Sequence, residues 1–218
     1  MAAYVTGETC STDFPVAGLN PLPHPGTCTG FVTKLSPAGN TVDYSTYLVN
    51  NIDDSTGIAL DAARNAYVTG TVEFTMGSSL FKEVFVTKLT VAGSLYYFRF
   101  LRGNNGSSWA QGIATDGDGN AWVGGATTST SFPGAPPIIP NPYAGFLVKY
   151  DPNGNGPLYT TLMGAQVNAV AVRKPRSNLP VVTYPLIYTA GYRYTGGTAY
   201  ANRDAFVMKL DEKPGNGQ

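Results

Sequence analysis

The residues able to do chemistry are few in this 218-residue chain: two cysteines, Cys10 and Cys28, and one histidine, His24. A histidine titrates near neutral pH and can act as an acid or base. His24 lies between two prolines in "PLPHPG", and no G-x-S-x-G nucleophile motif occurs in the chain. The favoured interpretation of His24 is therefore a solvent-exposed turn residue.

Two short segments, "DGDGN" (116–120) and "DPNGNG" (151–156), carry oxygen ligands at alternate positions, as calcium-binding loops do. The candidate ligands are Asp116, Asp118, Asn120, Asp151, Asn153 and Asn155. Neither segment has the bidentate glutamate that completes an EF-hand loop, and the parallel segment "DAARN" (61–65) lacks the ligand set. Ordinary hairpin turns are favoured, so no cofactor is expected, with calcium as the alternative.

The segments that must position these residues are repeated along the chain. "GIALDAARNAYVTG" (57–70) returns as "GIATDGDGNAWVGG" (112–125), and F-[VL]-x-K-[LY] occurs at 31–35, 85–89, 146–150 and 206–210. These segments are short, rich in β-branched and aromatic residues and bounded by turn residues, which is typical of strands. A unit of four antiparallel strands every ~55–65 residues predicts a β-propeller blade. A solenoid with longer repeats is the alternative.

Composition argues against several classes of partner. Only 13% of the residues are charged, the formal net charge is zero, and no run of Lys or Arg occurs. Nucleic acid and anionic membrane surfaces both require clustered positive charge. No apolar run approaches the ~20 residues that span a bilayer.

The opening "MAAYVTGETC" shows no signal peptide and begins inside a strand motif, so we expect a trimmed N-terminus or a piece of a longer chain.

The repeats resemble the SBBP-type bacterial β-propeller repeat. The resemblance is carried by "FVTKLSPAGNTVDYSTYL" (31–48), "DDSTGIALDAARNAYVTG" (53–70), "TGETCSTDFP" (6–15) and "DAFVMKLD" (204–211). It implies a fold and secretion, and little about activity. Asp53 and Asp54 match an acidic pair of this family, but the third repeat has Asn104 and Asn105 there, which favours a loop-bracing role.

We therefore predict an all-β fold, a single β-propeller domain over residues 1–218 built from four SBBP-like four-stranded blades. The blades are expected at approximately 3–50, 57–103, 112–164 and 168–211. The first blade lacks its inner strand and the last lacks its outer strand, which leaves fourteen strands. Either these blades close into a small four-bladed ring, or they form part of a larger ring.

Cys10 follows the first "AYVTG" strand and Cys28 precedes the first "FVTKL" strand, and these two strands should pair as a hairpin. A structural disulfide that closes the long loop is therefore favoured, which fits an oxidising compartment. Unpaired structural thiols and a metal or redox role are the alternatives.

Repeated side chains have predicted packing roles. The lysines should pack their stems between blades, with the ammonium reaching solvent or a carbonyl; they are Lys34, Lys88, Lys149 and Lys209. The aromatic residues expected to fill the layer between blades are Tyr4, Tyr67, Trp122 and Tyr188. Exposed loop aromatics are the candidates for partner contact, namely Tyr143, Tyr192, Tyr194 and Tyr200.

These patterns favour a non-catalytic extracellular scaffold or binding module that contacts protein or glycan at a bacterial surface. A homo-oligomer or the remainder of a longer chain is a further expected partner. The alternative is an extracellular hydrolase or lyase with a site at the propeller's central channel, dependent on a cation. Only Asp61, Asp116 and Arg173 match positions for such a site, so no catalytic residue is assigned.

Overall fold

All regular structure in the described part of the chain is β. The computed structural model describes residues 2–19, 21–48, 52–137, 143–173, 185–194 and 203–211, which form fourteen strands in four antiparallel sheets. Over these ranges no helix has the length and apolar character needed to cross a membrane.

The four sheets follow one another in chain order. Sheet I contains β1 (Ala3–Thr9), β2 (Thr29–Leu35) and β3 (Val42–Tyr47). Sheet II contains β4 (Ile52–Leu60), β5 (Ala66–Met76), β6 (Ser79–Leu89) and β7 (Leu95–Leu101). Sheet III contains β8 (Ser108–Thr115), β9 (Ala121–Thr127), β10 (Ala144–Tyr150) and β11 (Tyr159–Met163). Sheet IV contains β12 (Gln166–Arg173), β13 (Leu186–Tyr194) and β14 (Arg203–Asp211).

The predicted series of three, four, four and three strands is confirmed for the described residues, and the arrangement is consistent with a β-propeller type of fold. The inner strands differ from the prediction at their starts. β4 begins at Ile52 and β8 at Ser108, rather than at 57 and 112. Each contains a β-bulge just before the "GIA" segment, and a bulge breaks the two-residue alternation by which a strand is recognised.

Each sheet packs on the next through a buried apolar cluster. We call the face that a sheet turns toward the following sheet its forward face, and the opposite side its backward face. In sheet II, Val86 on the forward face packs with Val123 of sheet III, while Phe85 on the backward face packs with Val32 of sheet I. The core of the molecule is therefore a series of layers between sheets.

A cross-strand pair of one aromatic residue and one lysine recurs on the forward face of every sheet. The pairs are Tyr4–Lys34, Tyr67–Lys88, Trp122–Lys149 and Tyr188–Lys209. In sheets I, II and III the lysine Nζ lies 5.6, 4.8 and 5.1 Å from the ring centre of its partner. At this distance an ammonium is attracted to the ring face.

In sheets I and II the polar ends of the pair reach carbonyl oxygens in the turns of the following sheet. The hydrogen bonds are Tyr4 Oη to Arg64 O (3.2 Å), Tyr67 Oη to Gly119 O (2.9 Å), Lys34 Nζ to Val91 O (3.5 Å) and Lys88 Nζ to Pro152 O (3.0 Å). The role predicted for the lysines is confirmed for Lys34 and Lys88. Tyr67 and Trp122 are fully buried between sheets as predicted, whereas Tyr4 and Tyr188 are half-buried.

The long loop between β1 and β2 covers the outer edge of sheet I. Ala17 exchanges two backbone hydrogen bonds with Ser45 of β3, at 2.9 and 2.8 Å, and Phe14 packs with its ring centre 4.6 Å from that of Phe31. The predicted disulfide between Cys10 and Cys28 is confirmed and closes the base of this loop. The loop thereby covers a strand edge that would otherwise present unpaired backbone groups.

The expectation that His24 is a solvent-exposed turn residue is wrong. His24 is half-buried, its ring lies edge-on at 5.0 Å from that of Tyr47, and its Nδ1 accepts a hydrogen bond from the Gly26 N–H at 3.0 Å. The flanking prolines indicated a turn, but packing of the loop onto β3 brings the ring against sheet I.

Replacing both cysteines by serine should lower the free energy of unfolding by roughly 3 kcal/mol, because the cross-link restrains a loop with a sequence separation of 18 in the unfolded chain. Urea unfolding of the wild type and of the Cys10→Ser/Cys28→Ser variant measures the change. Reduction of the wild type should produce the same loss, and equal stability of both proteins would contradict the role of the cross-link.

Gly70→Ala should destabilise the protein by about 3 kcal/mol, because the new methyl group overpacks a strand contact. An added Cβ would lie 2.0 Å from the Asp54 carbonyl oxygen in β4 and 2.7 Å from the Phe85 ring. The matched control is Gly164→Ala, whose Cβ would meet no atom within 4 Å. Thermal and urea unfolding should separate the two variants, and equal loss at both positions would contradict the close approach at Gly70.

Candidate functional site

An open cleft of about 260 Å³ lies between sheets III and IV. It combines three aromatic residues, two glutamines, an arginine and an alanine. These are Trp109, Gln111, Ala126, Tyr143, Gln166, Tyr192 and Arg203. Its volume approaches the roughly 300–1,000 Å³ of typical small-molecule sites.

Antiparallel pairing brings the lining residues to one end of the two sheets. Trp109 near the start of β8 is opposite Ala126 near the end of β9, and Gln166 at the start of β12 is opposite Tyr192 near the end of β13. Arg203 begins β14. The cleft therefore lies where the inner strands of sheets III and IV begin.

Gln111 lines the cleft from a β-bulge. The register of β8 and β9 shifts between Ala110 and Gly112, so Gln111 is the extra residue. A bulge redirects a side chain out of the regular alternation. Thr56 is the extra residue at the matching bulge in β4, and its hydroxyl donates to the Ala110 carbonyl at 3.0 Å. The bulge thus recurs in the inner strands, while the side chain it presents differs.

Two aromatic residues form one wall of the cleft. The ring centres of Trp109 and Tyr143 lie 5.6 Å apart with an interplanar angle of 84°, an edge-to-face arrangement that is favourable for aromatic pairs. Both side chains are half-buried. The wall therefore offers aromatic surface to a ligand that enters the cleft.

Polar groups face this wall from sheet IV. The Tyr192 hydroxyl donates to Gln166 Oε1 at 2.9 Å, and the Arg203 guanidinium lies 4.8 Å from the centre of the Tyr192 ring. The hydrogen bond orients the Gln166 amide, whose nitrogen carries two N–H donors. Among the described residues that line the cleft, Arg203 is the one cation and no carboxylate is present.

The structure brings together two of the four aromatic residues predicted to contact a partner. Tyr143 and Tyr192 line the same cleft, but they are half-buried, and Tyr192 lies in β13 rather than in an exposed loop. Tyr194 ends β13 and its side chain lies outside the described residues, as does the whole of Tyr200. Whether any of these residues contacts a partner stays a prediction.

Sequence reasoning missed Trp109, Gln111, Gln166 and Arg203. The third inner strand was predicted to start at 112, which left Trp109 and Gln111 in a loop. The available signal was a tryptophan outside the repeated aromatic position and beside the repeat boundary. Its distance from Tyr143 in the sequence gave no reason to place the two rings in contact.

The candidate carboxylates of the enzyme alternative lie at the other end of the sheets, in the turns that follow β4 and β8. Asp61 accepts hydrogen bonds from Asn65 N and Nδ2 at 2.9 and 2.8 Å, and Asp116 accepts the same pair from Asn120 at 3.0 and 2.8 Å. Asp116 also accepts from Trp122 Nε1 at 3.1 Å. Both carboxylates thus brace turns of their own sheets, while Arg173 ends β12 and is exposed.

The second predicted oxygen-rich segment has the same turn geometry. Asp151 Oδ1 accepts from the backbone N–H groups of Asn153 and Asn155, at 2.8 and 2.7 Å, and its Oδ2 accepts from Asn155 Nδ2 at 2.7 Å. The third repeat has Asn105 where the second repeat has its acidic pair. Asn105 Oδ1 accepts a hydrogen bond from the Thr130 backbone N–H at 2.9 Å and so braces the loop after β9. The Asp53 side chain lies outside the described residues.

One group of potential metal ligands occurs among the described residues, formed by Glu8, Cys10 and Cys28. Both sulfur atoms belong to the disulfide, so this group is a covalent cross-link beside an exposed glutamate.

Asp61 belongs to the network that joins sheets II and III. Burial raises the pKa of its carboxyl group, but hydrogen bonds from Asn65 and the nearby Lys88 ammonium, 3.7 Å away, outweigh burial and lower the pKa. Burial and the charge of Asp61 raise the pKa of Tyr67, which keeps its hydroxyl group a donor to Gly119 O.

When folding lowers the pKa of a carboxyl group, that group stabilises the folded protein at pH values above its ordinary pKa. This contribution is lost as the pH falls through the pKa of the folded state. Asp61→Asn should therefore cost about 1–2 kcal/mol near pH 7, where a charge-assisted acceptor is removed. The difference from the wild type should shrink below roughly pH 4 as the wild-type carboxylate is protonated.

Urea unfolding between pH 7 and pH 3 measures this difference. Asp118→Asn is the matched control, because Asp118 is exposed in the equivalent turn of sheet III. A stability loss in Asp61→Asn that stays constant over the whole range would contradict the assignment.

Comparison with protein families identifies the repeat. Residues 97–133 match the SBBP family, described as a beta-propeller repeat. The match runs from β7 through β8 and β9 to the loop beyond. A search of curated proteins found no match to the chain. The repeat match suggests a propeller-like binding or scaffold module.

Proposed function

We propose that this protein is an extracellular, non-catalytic module that binds a glycan in the cleft between sheets III and IV. The observation that carries the proposal is the pairing of the Trp109–Tyr143 wall with the amides of Gln111 and Gln166 across one cleft. The proposed location rests on the disulfide, since such bonds persist in oxidising environments.

A sugar ring has an apolar face of C–H groups and a rim of hydroxyl groups. A flat aromatic surface accommodates the apolar face. Glutamine amides can donate to and accept from hydroxyl groups, and an arginine supplies several donors in a fixed plane. The cleft offers both kinds of group, and among its described lining residues the one charge is that of Arg203, which suits neutral sugars or sugars that carry a carboxylate.

Binding without catalysis is favoured by where the acidic groups lie. Glycoside hydrolysis generally employs two carboxyl groups on either side of the scissile bond. The described residues that line the cleft include no carboxylate, and Asp61 and Asp116 accept hydrogen bonds within turns at the opposite end of the sheets.

Trp109→Ala should weaken glycan binding tenfold or more, because a buried aromatic contact often carries most of the affinity of a small interface. Binding is screened on an array of oligosaccharides built from neutral hexoses, N-acetylhexosamines and uronic acids, and the best ligand is titrated by calorimetry. Gln166→Ala should weaken the same ligand through loss of the amide contact. Arg203→Ala should have its largest effect on uronic acid ligands.

The matched control is Phe100→Ala, which removes a 55% exposed aromatic side chain from β7 of sheet II, away from the cleft. This variant should bind like the wild type. Binding that survives Trp109→Ala but falls in the control would place the glycan site elsewhere. Failure of the purified protein to bind any oligosaccharide on the array would overturn the glycan proposal.

A further inference from the structure

The two terminal sheets present faces that the inner sheets bury. Among the residues that the structure describes, no sheet follows sheet IV on its forward face and none precedes sheet I on its backward face. In a stack of repeats, every internal face is covered by its neighbour, so the terminal faces need covering by another structure.

The forward face of sheet IV is exposed at a position that is buried in every other sheet. The second residue of the F-[VL]-x-K-[LY] segment is Val32 in sheet I, Val86 in sheet II and Leu147 in sheet III, and each of these is 0% exposed. The fourth copy, Val207, is 78% exposed. Val207 is paired with Ala190 on the face that also carries the Tyr188–Lys209 pair.

The backward face of sheet I shows the complementary difference. The third residue of the "AYVTG" segment is Val68 in sheet II and Val123 in sheet III, both 0% exposed. The first copy, Val5, is 43% exposed. In the internal layers these two positions belong to the same clusters, Val32 with Val68 and Val86 with Val123.

We propose that a second copy of this chain covers these faces, with sheet IV of each copy packed on sheet I of the other. The proposal extends a packing mode that the molecule already uses between its own sheets. One chain carries both surfaces that such a layer requires, a forward face on sheet IV and a backward face on sheet I. Val207 of one copy would then lie against Val5 of its partner as Val32 lies against Val68. The proposal does not depend on the glycan cleft.

Two copies are the number that this geometry favours. Val5 and Val207 are exposed in the single chain, so its terminal faces do not cover each other. A head-to-tail contact closes into a ring when the rotation per copy allows it. Two copies supply eight sheets, which is within the range of about four to eight found in typical propellers, whereas three copies exceed it.

The experiment measures the mass of the purified full chain by light scattering and sedimentation over a range of concentrations. The wild type should have twice the mass of one chain. Val207→Glu and Val5→Lys should each weaken self-association by roughly 100-fold, because each places an unpaired charge in an apolar layer. Val91→Lys is the matched control, since Val91 is 44% exposed in a turn of sheet II and the variant should remain dimeric.

Mixing the two charged variants tests the head-to-tail arrangement. A mixed dimer contains one unchanged interface and one in which Glu and Lys face each other, so the mixture should recover the dimer that neither variant forms alone. Circular dichroism and thermal unfolding of each variant check that it is folded; both altered residues are exposed in the single chain, so folding should be retained.

A wild type that is monomeric at all concentrations would overturn the proposal and leave the faces to a different segment or partner. A dimer that withstands both charged substitutions would also overturn it, as would a mixture that fails to associate. Glycan binding by the monomeric variants provides a separate readout, so failure of this proposal is distinguishable from failure of the cleft assignment.

Discussion

The packing of sheets I, II and III depends on one repeated interaction, in which an aromatic–lysine pair on sheet I or II reaches backbone carbonyls in the turns of the next sheet. Lys88 shows its physical basis most clearly. Its ammonium is buried between sheets II and III, where it lies over the Tyr67 ring and donates to Pro152 O, 3.7 Å from Asp61. A buried charge is tolerated only when it is paired and hydrogen-bonded, so the turn of sheet III must lie where it does.

This interaction makes each sheet dependent on its neighbours. The valines and phenylalanines of a forward or backward face are buried only when another sheet covers them, and no sheet could bury both of its faces alone. Sheet I meets part of this requirement through the loop between β1 and β2, which pairs with β3 and is held by the Cys10–Cys28 disulfide. Val207 is 78% exposed, so the described residues leave this part of the forward face of sheet IV uncovered.

The candidate cleft is built from residues that depart from the repeat. Trp109 and Arg203 lie at strand starts and Gln111 lies at a bulge, where side chains are not required to fill the core. A rigid repeated scaffold can vary such positions without disturbing the packing between sheets, which is why binding residues concentrate at the ends of elements. The bulge at Gln111 inserts one extra residue into β8 and presents its side chain to the cleft, while β8 continues to pair with β9 on both sides of the bulge.

The sequence alone determined most of the strands and their grouping into antiparallel sheets consistent with a β-propeller type of fold, because repeated segments with alternating side chains report local geometry many times over. It also predicted the disulfide and the packing of Lys34 and Lys88, since both follow from the pairing of neighbouring strands. The half-buried environment of His24 was out of reach, because it depends on how one loop folds onto sheet I. Only the tertiary structure decided that Trp109, Tyr143 and Tyr192 share a cleft and that Val5 and Val207 lie on uncovered faces. These facts depend on contacts between strands and sheets that are distant in the chain, which local patterns do not record.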